Sequence, residues 1–295
     1  MPPHCTPVTY RGAQAIQIHQ PEAGSATVLL HGGQVVSWID PAGRERLYLS
    51  PLADLQGSGA VRGGVPVIFP QFSARGPWTR HGFARNLPWQ FLAAEKGERD
   101  RVSVTLKLCE SSESLALWPH RFRCELTATL GPSQLALHLT VHNTDVQRWT
   151  FSAALHTYLA AGPLGAMALR GLEGLAYEDA LQANALGEAP GGPLRIDRAI
   201  DRIYFDTQRP LHLTYPGGQW QTTQQGWPDT VVWNPGPEGA QALTDLPDTD
   251  HDRFLCVEAA LIGTPHLLQP GAQWSGTQTL RILTSPPTDA DTPLV

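Results

Sequence analysis

VSVTLKLCESSESLALWPHRFRCELTATLGPSQLALHLTV, residues 102–141, decides the fold. Val102, Val104, Leu106 and Leu108 alternate with Ser103, Thr105 and Lys107. From Phe122 to Leu130 the polar side is Arg123, Glu125, Thr127 and Thr129, and Leu135, Leu137, Leu139 and Val141 give a third run. Side chains on a strand point alternately to its two faces, so each run predicts a strand with one face buried. The turn Gly131-Pro132-Ser133 between the last two predicts neighbouring antiparallel strands in a meander.

Further strands are expected at Ala26–Leu30, Val35–Ile39, Phe151–Leu159, Leu211–Tyr215, Thr230–Trp233, Phe254–Ala259 and Gln278–Leu283. Short helical turns are expected at Ser50–Leu55 and Asp179–Ala183, and Trp233 followed by Asn234-Pro235-Gly236 suggests core packing and a hairpin, although a tryptophan near a cleft can stack on a sugar face. No strands alternate with helices, which disfavours parallel α/β architectures. The expectation is an all-β protein, a large antiparallel β-sandwich built as a single domain over 1–295, with a loose C-terminal tail at 285–295. Composition agrees: 28 glycines and 26 prolines in 295 residues exceed the usual shares of about 7% and 5%.

The N-terminus lacks the apolar run of a signal peptide, and no segment reaches the ~18 apolar residues of a membrane helix. A cytoplasmic protein without a membrane partner is expected. Cys5, Cys109, Cys124 and Cys256 have neither zinc-site spacing nor the density of a disulfide framework, so buried free thiols are expected. A net charge of -6 disfavours nucleic acid as the main partner.

Against that acidic background, 55–94 contains Arg62, Arg75, Arg80, Arg85 and His81 and no acidic residue. Uncompensated guanidinium groups in Gly- and Pro-rich loops suit a small anionic ligand, although a solvated basic loop has the same composition. His156, in F-S-A-A-L-H-T-Y-L, is either a satisfied core histidine or a rigidly held proton carrier. Glu258, in F-L-C-V-E-A-A, is a lone carboxylate in an apolar strand, where burial without a partner or a task is costly. Asp201, between Arg198 and Arg202, reads as an ion-pair member or a ligand-binding carboxylate. His31-Gly32-Gly33 and Arg62-Gly63-Gly64 fit no phosphate-loop or dinucleotide pattern and read as turns.

Taken together, V-R-G-G-V-P-V-I-F-P, R-H-G-F-A-R-N-L-P-W, A-A-L-H-T-Y-L, D-R-I-Y-F-D-T, P-D-T-V-V-W-N-P and L-C-V-E-A resemble, in order, the hexose-6-phosphate epimerase branch of the aldose 1-epimerase (galactose mutarotase-like) family. The resemblance runs from about Gly32 to Leu283 and implies a supersandwich that interconverts sugar anomers without metal or cofactor. It implies Glu258 as general base on the anomeric hydroxyl and His156 as the acid on the ring oxygen. It also implies His81 and Asp201 on the sugar, and Arg62, Arg80 and Arg85 on the phosphate, with Arg75 a fourth candidate. The expected partner is a small sugar phosphate, and the expected state a monomer. Two departures stand out: the common F-P-W-F-G reads Phe69-Pro70-Gln71-Phe72-Ser73, and the small residues after the glutamate read Ala259-Ala260-Leu261. Two other readings compete, an epimerase of an unphosphorylated aldose and a non-catalytic sugar-phosphate-binding module.

Overall fold

The alternation at 102–141 becomes three antiparallel strands, Val102–Cys109, Phe122–Gly131 and Gln134–Asn143. Leu106, Leu126 and Leu139 stand side by side in register and are at most 1% exposed. Their burial fixes the register, because a slip of one residue would turn every leucine to solvent. The computed structural model describes residues 4–98 and 100–283; the predicted tail lies outside them.

These strands lie toward one end of a nine-stranded sheet, between its edge strand Gln90–Lys96 and the central strand Gln273–Leu283. An eight-stranded sheet is built around Phe254–Leu268, which pairs with Trp149–Leu155, Tyr158–Ala160 and Asp229–Asn234. Asp229–Asn234 pairs in turn with Ile200–Tyr204, and that strand with Ala176–Asp179. Cys5–Tyr10, Ala13–Gln20, Gly24–Leu29 and Val35–Ile39 make a four-stranded sheet. One buried cluster draws on all three, with Ile18, Leu126, Leu139, Leu155 and Val257 among its members. The fold is the expected all-β antiparallel sandwich.

Local readings differ in four places. The expected strand Phe151–Leu159 is interrupted at His156 and Thr157, whose neighbours pair separately with Phe254–Leu268. The 3₁₀ turn Ala180–Gln182 is present, capped by the Asp179 carboxylate, whereas Ser50–Leu55 forms turns without a helix. Asn234-Pro235-Gly236 starts the short helix Gly236–Gln241 instead of a hairpin, because the Asn234 side chain accepts from Gly236 N–H while its amide donates to His251 and Phe254 carbonyls. Cys124 and Cys256 are buried free thiols, but Cys109 is exposed where a buried thiol is expected, since it ends its strand on the solvent face. Among the described residues no helix is long and apolar enough to cross a membrane.

Candidate active site

Phe254–Leu268 runs through the middle of its sheet, and its residues alternate between two environments. Leu255, Val257 and Ala259 face the main core, while Cys256, Glu258 and Ala260 face the opposite side. On that opposite side register aligns Glu258 with Val231 and Ile203, and Cys256 with Trp233 and Asp201. Of these two rows, Glu258, Val231, Ile203, Trp233 and Asp201 form the floor of a cleft of about 710 Å³, lined also by Phe72, Arg62, Arg75, Arg80, His81, Arg85, His156 and Glu178. Every site residue expected from the sequence reaches this cleft.

Glu258 is 1% exposed, and its Oε1 lies 3.3 Å from His156 Nε2. The interruption at His156 explains the meeting. The His156 N–H leaves the ladder to donate to the Pro66 carbonyl at 3.0 Å, and Thr157 is held by its hydroxyl donating to Gln278 Oε1 at 2.6 Å. The imidazole lies flat against Tyr158 and meets Trp233 and His81 at steep angles. Glu258 Oε2 and His156 Nδ1 are buried with no protein hydrogen-bond partner. Such groups are costly unless a ligand satisfies them.

Burial, and then the charge of Asp201, pushes the Glu258 carboxyl well above its ordinary range, with Arg85 pulling the other way. Burial, and then His81, Arg85 and Arg62, holds the His156 imidazole well below its ordinary value. Both groups therefore favour their neutral forms, and the pair holds one proton on the carboxyl side. Moving that proton across the 3.3 Å contact yields a carboxylate beside an imidazolium, which is a base beside an acid.

His81 has left-handed backbone, with φ of 63°, which turns its ring back over Ser73. The Ser73 N–H donates to Nδ1 at 3.3 Å, so the neutral ring carries its proton on Nε2. Burial and then Arg85, Arg80 and Arg62 hold its pKa down at about 3, so it remains a neutral donor. The next residue has to be glycine: a Cβ on Gly82, φ 67°, would sit 2.0 Å from the Phe69 carbonyl oxygen.

Arg62 Nε donates to both Asp245 oxygens at 3.2 Å and its Nη1 to the Tyr158 hydroxyl at 3.1 Å. Arg85 Nη2 reaches the Arg80 carbonyl at 3.4 Å, and its Nε is buried without a protein partner. Burial lowers the Arg85 pKa to about 10; neighbouring Arg62 and Arg80 add to this and Tyr158 opposes it. Arg80 is exposed at the rim. Arg75 also lines the cleft but is paired with Glu178. The free positive charge thus belongs to Arg80 and Arg85, with Arg62 fixed beside them.

Asp201 forms no ion pair with its sequence neighbours: Arg198 pairs with Asp197, and Arg202 with Asp179. It faces the cleft instead, its pKa pushed up to about 6 by burial and Asp179 against the pull of Arg80 and Arg75. Of the residues that depart from the common motifs, only Ser73 lines the cleft. Gln71 lies behind a loop, and Ala259–Leu261 is buried in the ladder. Tyr158, Glu178 and Asp245 do not stand out in the sequence. Tyr158 stands two positions after His156, whereas Arg75 and Arg62 meet Glu178 and Asp245 across separations of 103 and 183 residues, which no local pattern reveals.

His156, Cys256 and Glu258 each offer a ligand atom, all within 4.8 Å of one another. Burial, and then Glu258, pushes the Cys256 thiol well above its ordinary pKa, and two arginines act on the same pair. A cation here would have to displace the thiol proton in a positive field, so the donor set fits proton exchange better than metal binding.

The family model described as aldose 1-epimerase matches residues 14–281. A Cenchrus ciliaris protein named “Putative glucose-6-phosphate 1-epimerase” is 33% identical over 262 residues, covering 85% of this chain and 79% of its own. An Escherichia coli K12 protein of the same name is 31% identical over 245 residues, covering 80% and 79%. The crystal structure of a “putative mutarotase” from Salmonella typhimurium superposes with a TM-score of 0.87 at 25% identity, covering 96% of this chain and 94% of that one.

Proposed function

The chain belongs to the aldose 1-epimerase family, and from that premise we propose that it is an isomerase interconverting the α and β anomers of a hexose 6-phosphate, glucose 6-phosphate first among them. The observation that carries this reading is the pairing of His156 with Glu258 on the floor of a cleft whose rim presents Arg62, Arg80 and Arg85. Recognition alone does not require an acid and a base converging on one point, which weighs against a binding module. Arg80 and Arg85 facing a neutral sugar would be left without a counter-charge, which weighs against an unphosphorylated aldose.

In this reading the phosphate sits on the three arginines and the pyranose extends down to the floor. Its negative charge offsets the cations that depress His156, so binding itself favours transfer of the proton from Glu258 to the imidazole. The Glu258 carboxylate then removes the anomeric hydroxyl proton, the C1–O5 bond breaks, and His156 gives its proton to O5. The product is the open-chain aldehyde. Rotation about C1–C2 and the same steps in reverse close the other anomer, and the pair recovers its proton. His81 supplies a neutral N–H near the ring oxygen, and Asp201 holds hydroxyls. No step calls for a metal or an organic cofactor.

The buried cluster running from Cys5 to Leu280 supports one domain, and buried free thiols at Cys124 and Cys256 suit the cytoplasm. Anomer exchange followed by NMR on glucose 6-phosphate, galactose 6-phosphate and glucose tests the reading. Exchange on the phosphosugars well above the spontaneous rate, and little on glucose, is expected. Equal exchange on glucose points to the unphosphorylated aldose, and none on any of them to the binding module.

A further inference from the structure

Gln71 is 2% exposed and does not itself line the cleft, yet its whole amide is committed to one loop of the cleft wall. Its Nε2 donates to the Ser73 carbonyl at 3.1 Å and the Trp78 carbonyl at 3.0 Å, and its Oε1 accepts from the Trp78 N–H at 3.0 Å. The loop closes at its neck through the His81 N–H on the Ser73 carbonyl at 3.0 Å and the Ser73 N–H on His81 Nδ1 at 3.3 Å. Its base is held by the Phe72 N–H donating to Ser152 Oγ at 2.8 Å. Inside, Gly76 leaves room for the amide: a Cβ there would sit 2.4 Å from Gln71 Oε1.

Residues 74–80 are otherwise exposed, so little apolar packing holds them. Arg75 and Arg80 ride on this segment, and His81 ends it. The geometry points to Gln71 as a positioning residue that templates the anion-binding loop, fixing Arg80 over the cleft and His81 in its Nε2–H form. A tryptophan at this position, as in F-P-W-F-G, has one N–H donor and no acceptor and could not make the same three bonds. The motif departure therefore marks a different way of holding the loop. That the ligand on Arg80 is a sugar phosphate rests on the function proposed above; the hold of Gln71 on the loop does not.

The test compares wild type, Gln71→Leu and Gln71→Glu by hydrogen exchange over 72–82, by kcat and KM for glucose 6-phosphate, and by inhibition with inorganic phosphate. In Gln71→Leu the Trp78 amide should exchange at least about tenfold faster. KM and the phosphate inhibition constant should rise by about the same factor, the worth of one or two net hydrogen bonds, while kcat changes less than about threefold. Gln71→Glu keeps the acceptor and loses both donors. It should therefore raise KM at pH 8, where an ionised carboxylate faces two carbonyls, and recover part of the loss at pH 5, where a protonated one donates once. If Gln71→Leu does not fold, that pH contrast decides. Unchanged Trp78 exchange, a fall in kcat with KM intact, or no pH contrast in Gln71→Glu would overturn the assignment. If wild type does not prefer the phosphosugar, the functional reading fails while Trp78 exchange still reports on Gln71.

Discussion

The imidazole of His156 lies face to face with the ring of Tyr158, centroids 4.9 Å apart and planes 14° from parallel. The Tyr158 hydroxyl also accepts from Arg62, so one side chain braces the acid and tethers a phosphate-side arginine. Tyr158→Phe keeps the stack and leaves Arg62 held by Asp245 alone; it should raise KM for the phosphosugar about tenfold and leave kcat nearly unchanged. Tyr158→Leu removes the stacked face too and should lower kcat as well. Steady-state kinetics on both variants separate the two roles, and identical effects on kcat would refute the division.

His156→Ala and Glu258→Gln should each cost about 10²- to 10⁴-fold in anomerisation, with the double variant little worse than either single one because the groups act as a unit. Circular dichroism and melting curves check that the fold survives. A variant retaining half the wild-type rate would remove that residue from the mechanism.

The pH profile should be a bell. Activity falls on the acid side when the pair takes a second proton and on the alkaline side when it loses its only one. Arg85 lies among the cations holding His156 down and also pulls Glu258 down. Removing it raises both pKa values, so Arg85→Ala should move both limbs to higher pH. The profile is best read on glucose, because a sugar phosphate titrates near pH 6 itself. A bell that stays in place would show that Arg85 does not act on the pair.

Arginine replacement should change which sugar is used more than how it reacts. Charge-assisted hydrogen bonds to phosphate are worth roughly 1.5 to 3 kcal/mol each, so Arg62→Ala, Arg80→Ala or Arg85→Ala should cut the preference for glucose 6-phosphate over glucose by about 10- to 100-fold. The ratio of kcat/KM for the two sugars is the measurement. A ratio unchanged in all three variants would locate the phosphate elsewhere.

Asp201 carries a stability cost that depends on pH. Its folded pKa of about 6 lies above the ordinary carboxyl value, so the native state binds the proton more tightly than the unfolded chain. The stabilisation from that proton is present at low pH and lost as pH rises through about 6. Asp201→Asn should accordingly raise the melting temperature at pH 7.5, by the equivalent of about 1–2 kcal/mol, and leave it unchanged near pH 4. Anomerisation should fall in the same variant. Equal melting shifts at both pH values would contradict the assignment.

Much of the fold and the site is legible in the amino-acid sequence. The meander at 102–141 follows from alternation alone, and Glu258 is conspicuous as a carboxylate in an otherwise apolar strand. The acid-free run at 55–94 points to an anion site. Other features have no local signature. Ala176–Asp179 and Ala185–Glu188 span four residues each and show no alternation of buried and open positions. The break at His156 depends on the Pro66 carbonyl and on Gln278, both far away along the chain. Asp245 and Glu178 acquire meaning only when folding brings them to Arg62 and Arg75.

The neck between Ser73 and His81 has a consequence for engineering. Because backbone and ring bonds close the loop there, while His156 and Glu258 are set by the eight-stranded sheet, residues 74–80 form a cassette separable from the reaction centre. Exchanging that cassette together with Gln71, which fits its interior, is the direct route to redirecting the same ring-opening chemistry toward sugars that carry a different group, or none, at the far end.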